Sequence, residues 1–204
     1  MDILSHLKTL VAAPGLSGHE APIRDLIRDA WAPLTDQLGG ARLGSLWATK
    51  HGTGKAPRKK IMLAAHMDAI GLMVTRVHRG FIWITEIGGV DARVLPGQPV
   101  TVHGREPLPG IVATTPPHLL SAADREKPAR LDQLMIDVGL PAPRVAALVR
   151  VGDLISFAQP AFEMQSDWLV AKSLDNRPSV AALTVCLDAL QGRRQQANGA
   201  ELAG

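Results

Sequence analysis

From Gly71 to about Ala158 the chain repeats short apolar runs broken by Gly and Pro, whereas the stretches on either side carry helical periodicity. This change of period constrains the fold more than any other feature. Runs at 72–77, 81–87, 99–103, 110–113, 134–138 and 153–157 are punctuated by Arg79-Gly80, Pro96-Gly97 and Pro116-Pro117. Strand-like runs bounded by turn formers, many and short, predict a small β-barrel or sandwich. One helix, near 142–149, interrupts them.

The flanks predict an α/β unit into which this β module is inserted. Ile3, Leu4, Leu7, Leu10 and Val11 share one helical face behind Asp2, which is placed to cap. Ala13-Pro14-Gly15-Leu16-Ser17-Gly18 breaks that helix. A second opens near Glu20 with Pro22 in its first turn and buries Ile23, Leu26, Ile27, Ala30 and Trp31. Runs at 43–49 and 60–66 predict two strands, the second apolar enough to be a buried central strand. A short strand at 168–171 precedes a helix over 178–190. The expected division is 1–69 plus 160–204 for the α/β part and 70–159 for the inserted domain.

Composition narrows the function classes. The net charge is +3, from 22 Lys+Arg against 19 Asp+Glu, too small an imbalance for a nucleic-acid footprint. No stretch approaches the ~20 apolar residues of a membrane helix, and no basic leader precedes an apolar core. One Cys in 204 residues excludes an intrachain disulfide and fits a reducing compartment. The expectation is a soluble cytoplasmic protein with no nucleic-acid or membrane partner.

Two polar clusters carry candidate chemistry. His66-Met67-Asp68 follows the apolar run at 60–66, and alternation puts His66 and Asp68 on one side of an extended segment. An imidazole nitrogen is a ligand for zinc or cobalt, and a neighbouring carboxylate fixes its tautomer. Taken alone, the triplet is explained more simply by His66 as a hydrogen-bonded residue at a strand end. Asp175-Asn176 heads the last helix, where an Asp either caps the helix or bridges two cations ~3.5–4 Å apart. His19, His78, His103 and His118 lack paired ligands at metal spacing, and Cys186, between Val185 and Leu187, is expected in the core.

The ordered motifs resemble those of the M42 metallo-aminopeptidases, the glutamyl aminopeptidase-like and tetrahedral enzymes. Ala13-Pro14-Gly15-Leu16-Ser17-Gly18-His19-Glu20 is similar to the N-terminal signature of that family. The stretch from Ala65 to Val74 resembles its first metal motif, with Ala69 where Glu is usual. Ile87-Gly88-Gly89-Val90-Asp91, Val94-Leu95-Pro96-Gly97-Gln98, Pro117-His118-Leu119-Leu120 and Ile136-Asp137-Val138-Gly139 resemble the inserted domain. Lys172-Ser173-Leu174-Asp175-Asn176-Arg177 resembles the second metal motif, with Ser173 where Ala is usual.

The resemblance, over residues 1–190, implies a metallopeptidase-type α/β domain with an inserted β-barrel-like dimerisation domain. It implies two divalent ions, zinc or cobalt, with His66 binding one, Asp175 bridging both, and Asp68 in the catalytic set as the carboxylate that orients His66. Peptides would be the substrates, losing N-terminal residues, and the inserted domain would build a homo-oligomer. Family members continue to a paired Glu-Glu, a further Asp and a late His. These lie beyond residue 204, and Asp188 and Glu201 stand in no matching motif. The expectation is therefore a co-catalytic aminopeptidase whose 204 residues alone hold an incomplete site. The other reading is a truncated or degenerate chain without catalysis, acting as an oligomerisation module. A glycan hydrolase is disfavoured because no plausible acid and nucleophile carboxylate pair is present.

Overall fold

The computed structural model describes residues 1–119, 127 and 129–202; Leu120 and the side chain of Glu201 lie outside what is described. The chain forms two compact units, residues 1–68 with 173–204, and residues 69–172.

In the first unit, α1 (Ile3–Ala12) starts where the Asp2 carboxylate accepts from Leu4 N at 3.1 Å, satisfying one of the free amides of the first turn. Helix α2 (Ala21–Trp31) begins with Pro22 in its first turn. The last helix of the chain, α4 (Arg177–Leu202), packs against both. Leu10, Ala13, Ile23, Ile27, Val180 and Ala181 form the core between the three. Burying side chains of this size contributes about 1.5–3 kcal/mol each.

Helix α4 runs twelve residues past the expected end at 190. The polar sequence after Gly192 is rich in Gln, Arg and Ala, which favour helix, and one Gly costs only ~1 kcal/mol. Gln191 accepts from Lys50 Nζ, and Arg194 pairs with Asp36 at 2.7 Å, so tertiary bonds hold the extension. Cys186, expected in the core, is exposed, because the buried stripe of α4 runs through Arg177, Val180, Ala181 and Thr184 and leaves it on the outer side.

A hairpin joins β1 (Gln37–Gly40) to β2 (Leu46–Thr49). The β1 strand is absent from the sequence expectation. Gly39 makes it feasible, since a Cβ there would fall on the Trp47 ring. The expected buried strand at 60–66 is not found. Those residues belong to no strand and pair with none among the described residues, with Ile61 86% and Met62 90% exposed. A strand exists through its ladder bonds, and no described strand runs alongside this segment.

The second unit is a closed antiparallel barrel. Its strands are β3 (Gly71–His78), β4 (Phe81–Ile87), β5 (Pro99–His103), β6 (Pro107–Ala113), β7 (Met135–Asp137) and β8 (Leu154–Phe157). They close in the order β3-β4-β7-β6-β5-β8, which leaves no open edge. Alternation sends Leu72 and Val74, Ile82 and Ile84, and Val100 and Val102 inward onto Ile136 and Ile155. A bulge between Val74 and Arg76 adds the bend that closure requires. Helix α3 (Ala142–Leu148) adds Val145 to that core.

Strands β9 (Phe162–Met164) and β10 (Trp168–Val170) pair with each other and, among the described residues, with no other strand. Residues 160–172, expected with the α/β flanks, group with the barrel unit. The fold is thus α/β with an inserted closed β-barrel. Among the described residues no helix is long and apolar enough to cross a membrane.

Candidate metal centre

The segment 66–68 and the entry to α4 meet within the first unit. His66 Nδ1 lies 2.8 Å from Asp68 Oδ1, and Nε2 lies 2.9 Å from Asp175 Oδ1, although 109 positions separate His66 from Asp175. Asp68, two residues on, reaches back to the ring while Met67 packs against the helical core. Carboxylates only accept, so making both bonds at once requires an N–H on each ring nitrogen, that is, an imidazolium. The hydrogen bond to Asp175 first, then that to Asp68, holds the His66 pKa above 6.5.

Asp68 is fixed from its other oxygen. The Ser17 hydroxyl donates to Asp68 Oδ2, and this bond is the leading cause that holds the carboxyl below 3.8. Ser17 lies in the Pro-Gly break after α1, a segment the sequence marks as a loop and gives no chemical role. Arg177 is the second residue that sequence reasoning passed over. It is wholly buried at the start of α4 and donates to Met67 O at 3.1 Å, to Ala13 O at 2.6 Å and to Leu10 O. The one available signal was a charged residue on the apolar stripe of an amphipathic helix.

Burial grades across the cluster. The Asp68 side chain is 34% exposed, His66 51% and Asp175 94%. A cleft lies beside them, with Trp31, Leu43, Leu46, Met67 and Val180 in its wall. The donor set suits a divalent ion of the zinc type: an imidazole Nε2 stands 2.9 Å from a carboxylate oxygen. Two donors are one short of the three protein ligands usual at a catalytic zinc. Among the described residues no group of three or more His, Cys, Asp or Glu gathers to hold a metal. His103 bonds Ser156 at 2.8 Å and the His78 ring lies tilted against Trp83, 6.2 Å between centroids, both in the barrel unit.

The profile of the M42 glutamyl aminopeptidase family matches residues 44–202, covering both metal-motif segments and the barrel between them. The chain belongs to that family. A lysyl aminopeptidase of Pyrococcus furiosus is 33% identical over 185 residues, which cover 87% of this chain and 52% of that protein. The crystal structure of a TET aminopeptidase from a marine sediment archaeon of the Thaumarchaeota superposes with a TM-score of 0.84 at 28% identity, over 96% of this chain and 55% of that one. The Pyrococcus horikoshii TET1 peptidase, described as assembling into a tetrahedron or a large octahedral shell, gives a TM-score of 0.79 at 29% identity, over 94% and 56% of the two chains. The M42 chain described here spans about half the length of the relatives it matches.

Proposed function

We propose that this M42 chain supplies part of a co-catalytic divalent-metal aminopeptidase that removes N-terminal residues from peptides. The observation that carries this reading is the 2.9 Å approach of His66 Nε2 to Asp175 Oδ1 beside an open cleft. In this reading His66 and Asp175 hold metal, and Asp68 orients the imidazole through Nδ1. Divalent ions there, zinc or cobalt, would supply Lewis acidity toward a scissile carbonyl and activate water near neutral pH. For the chain to bind one, His66 must release the proton shared with Asp175, while Asp68, anchored by Ser17, keeps the other ring nitrogen in its donor state. The inserted barrel is assigned to homo-oligomer formation, in line with the shells described for the TET1 relative.

A second reading, an oligomerisation module without turnover, is favoured by the two-donor set just described. Metal analysis of the purified 204-residue chain separates them. Zinc or cobalt binding that falls in His66→Ala and in Asp175→Ala supports the first reading, and binding that survives both overturns it. Hydrolysis of amino-acid anilides by this chain alone is expected to be slow, since its two donors are one short of the three protein ligands usual at a catalytic zinc.

A further inference from the structure

The segment carrying His66 pairs with no strand among the described residues, yet His66 meets Asp175 at hydrogen-bond distance. Something other than a ladder must hold residues 66–68. Arg177 stands two residues after Asp175, in the first turn of α4, with its guanidinium fully buried. Its Nε donates to the carbonyl of Met67, the residue between His66 and Asp68. Its Nη1 donates to Leu10 O and Ala13 O at the end of α1. Leu10 O is among the last carbonyls of α1, which have no partner inside the helix, and a cation there also complements the helix dipole.

A buried guanidinium is costly unless its donors are satisfied, and Nη2 finds no partner among the described residues. A leucine at this place in the stripe would pack without that cost. What the arginine adds is geometry: a planar fork binds several fixed acceptors at once, which a lysine cannot reproduce. Gly15 is shaped to it, since a Cβ there would lie 3.1 Å from Nη2.

We propose that Arg177 is a positioning residue of this site: it pins Met67 to the start of α4 and so sets the separation of His66 and Asp175. The proposal rests on His66 and Asp175 acting as one site, and its test separates the two claims. The 204-residue chain, labelled with nitrogen-15, is studied at fixed pH by long-range proton–nitrogen correlation of the His66 ring, then titrated with Zn²⁺. Arg177→Met and Arg177→Lys are compared with Thr184→Val, which removes from the same helical unit the hydroxyl that bonds Trp31 Nε1 (2.9 Å) and His6 Nε2 (3.1 Å).

The expected result is that Arg177→Met loses the hydrogen-bonded Nε2 signature and raises the Zn²⁺ concentration for half-saturation by about 10–100-fold, the range typical of groups that orient a ligand. Arg177→Lys is expected to fall between, and Thr184→Val to keep the wild-type ring signature. If Arg177→Met does not fold, as judged by circular dichroism, Arg177→Lys carries the comparison. Its ring signature and zinc midpoint must then both move while those of Thr184→Val do not. Unchanged signatures in the Arg177 variants, or equal changes in Thr184→Val, overturn the proposal. A ring signature that depends on Arg177 in a chain unaffected by Zn²⁺ upholds the positioning role and overturns the metal reading.

Discussion

Replacing Gly15 by Ala tests whether the loop after α1 is as tightly held as its contacts imply. The added Cβ would sit 2.5 Å from Ile23 Cγ2 and 3.1 Å from Arg177 Nη2. Ile23 is fully buried and part of the helical core, so it cannot swing into solvent. Overpacking of this kind costs about 1–3 kcal/mol. Gly→Ala also removes freedom from the unfolded chain, which offsets about 0.4–1 kcal/mol. At mid-range a steric cost of ~2 kcal/mol exceeds an offset of ~0.7 kcal/mol, leaving a net loss of about 1.3 kcal/mol. With a slope near ~2 kcal/mol/M, the urea midpoint should fall by about 0.6–0.7 M. Circular dichroism at 222 nm is the assay, because α1, α2 and α4 dominate that signal and all belong to the first unit. Gly54→Ala is the control, since nothing lies within 4 Å of its added Cβ. It should leave the midpoint unchanged or slightly raised. A Gly15→Ala midpoint equal to that of wild type would show that Ile23 and Arg177 yield freely, and the account of a rigid loop would be wrong.

Further expectations follow from the same contacts. In the metal-free chain the His66 pKa should exceed 6.5 by NMR titration, and Asp175→Asn and Asp68→Asn should each lower it; no change in Asp175→Asn would contradict the geometry. Because that pKa is raised on folding, its contribution to stability is fully present below 6.5 and is lost as pH rises through the folded value. Zinc affinity should run the opposite way, weakening as acid protonates His66, which calorimetric titration at two pH values would read. Ile61→Lys and Met62→Lys should change the stability of this chain by no more than about 0.5 kcal/mol, since both side chains are exposed; a loss above ~1 kcal/mol in urea would show that they are covered. Ile155→Ala, at a fully buried barrel position, should cost about 2–5 kcal/mol by calorimetry, and a smaller loss would mean the barrel core is loosely packed.

Local chemistry made much of this legible in advance. Strands 81–87 and 99–103 were readable to the residue because alternating apolar side chains and flanking Gly or Pro encode both burial and turn. The helices α1 and α2 were readable for the same reason at a period of 3.6, with Asp2 and Pro22 marking their starts. His66, Asp68 and Asp175 stood out as polar groups at element ends. Their roles came from motif resemblance, not from spacing, because a separation of 109 along the chain carries no distance information.

Tertiary structure decided the rest. The apolar run at 60–66 has strand composition, but composition cannot supply a neighbouring strand; the segment finds none among the described residues and is largely exposed. Closure of six strands into a barrel rather than a sandwich depends on which edges meet, notably β3 with β8, and those contacts are non-local. Ser17 on Asp68 and Arg177 on Met67 O were invisible for a related reason. A loop serine and a helical arginine are ordinary in sequence, and only folding places a hydroxyl on a carboxylate and a guanidinium on three carbonyls. The sequence by itself determined which residues favour helix, strand or turn, because those preferences are local. The pairing of residues far apart in the chain was decided by packing, which acts only once the chain has folded.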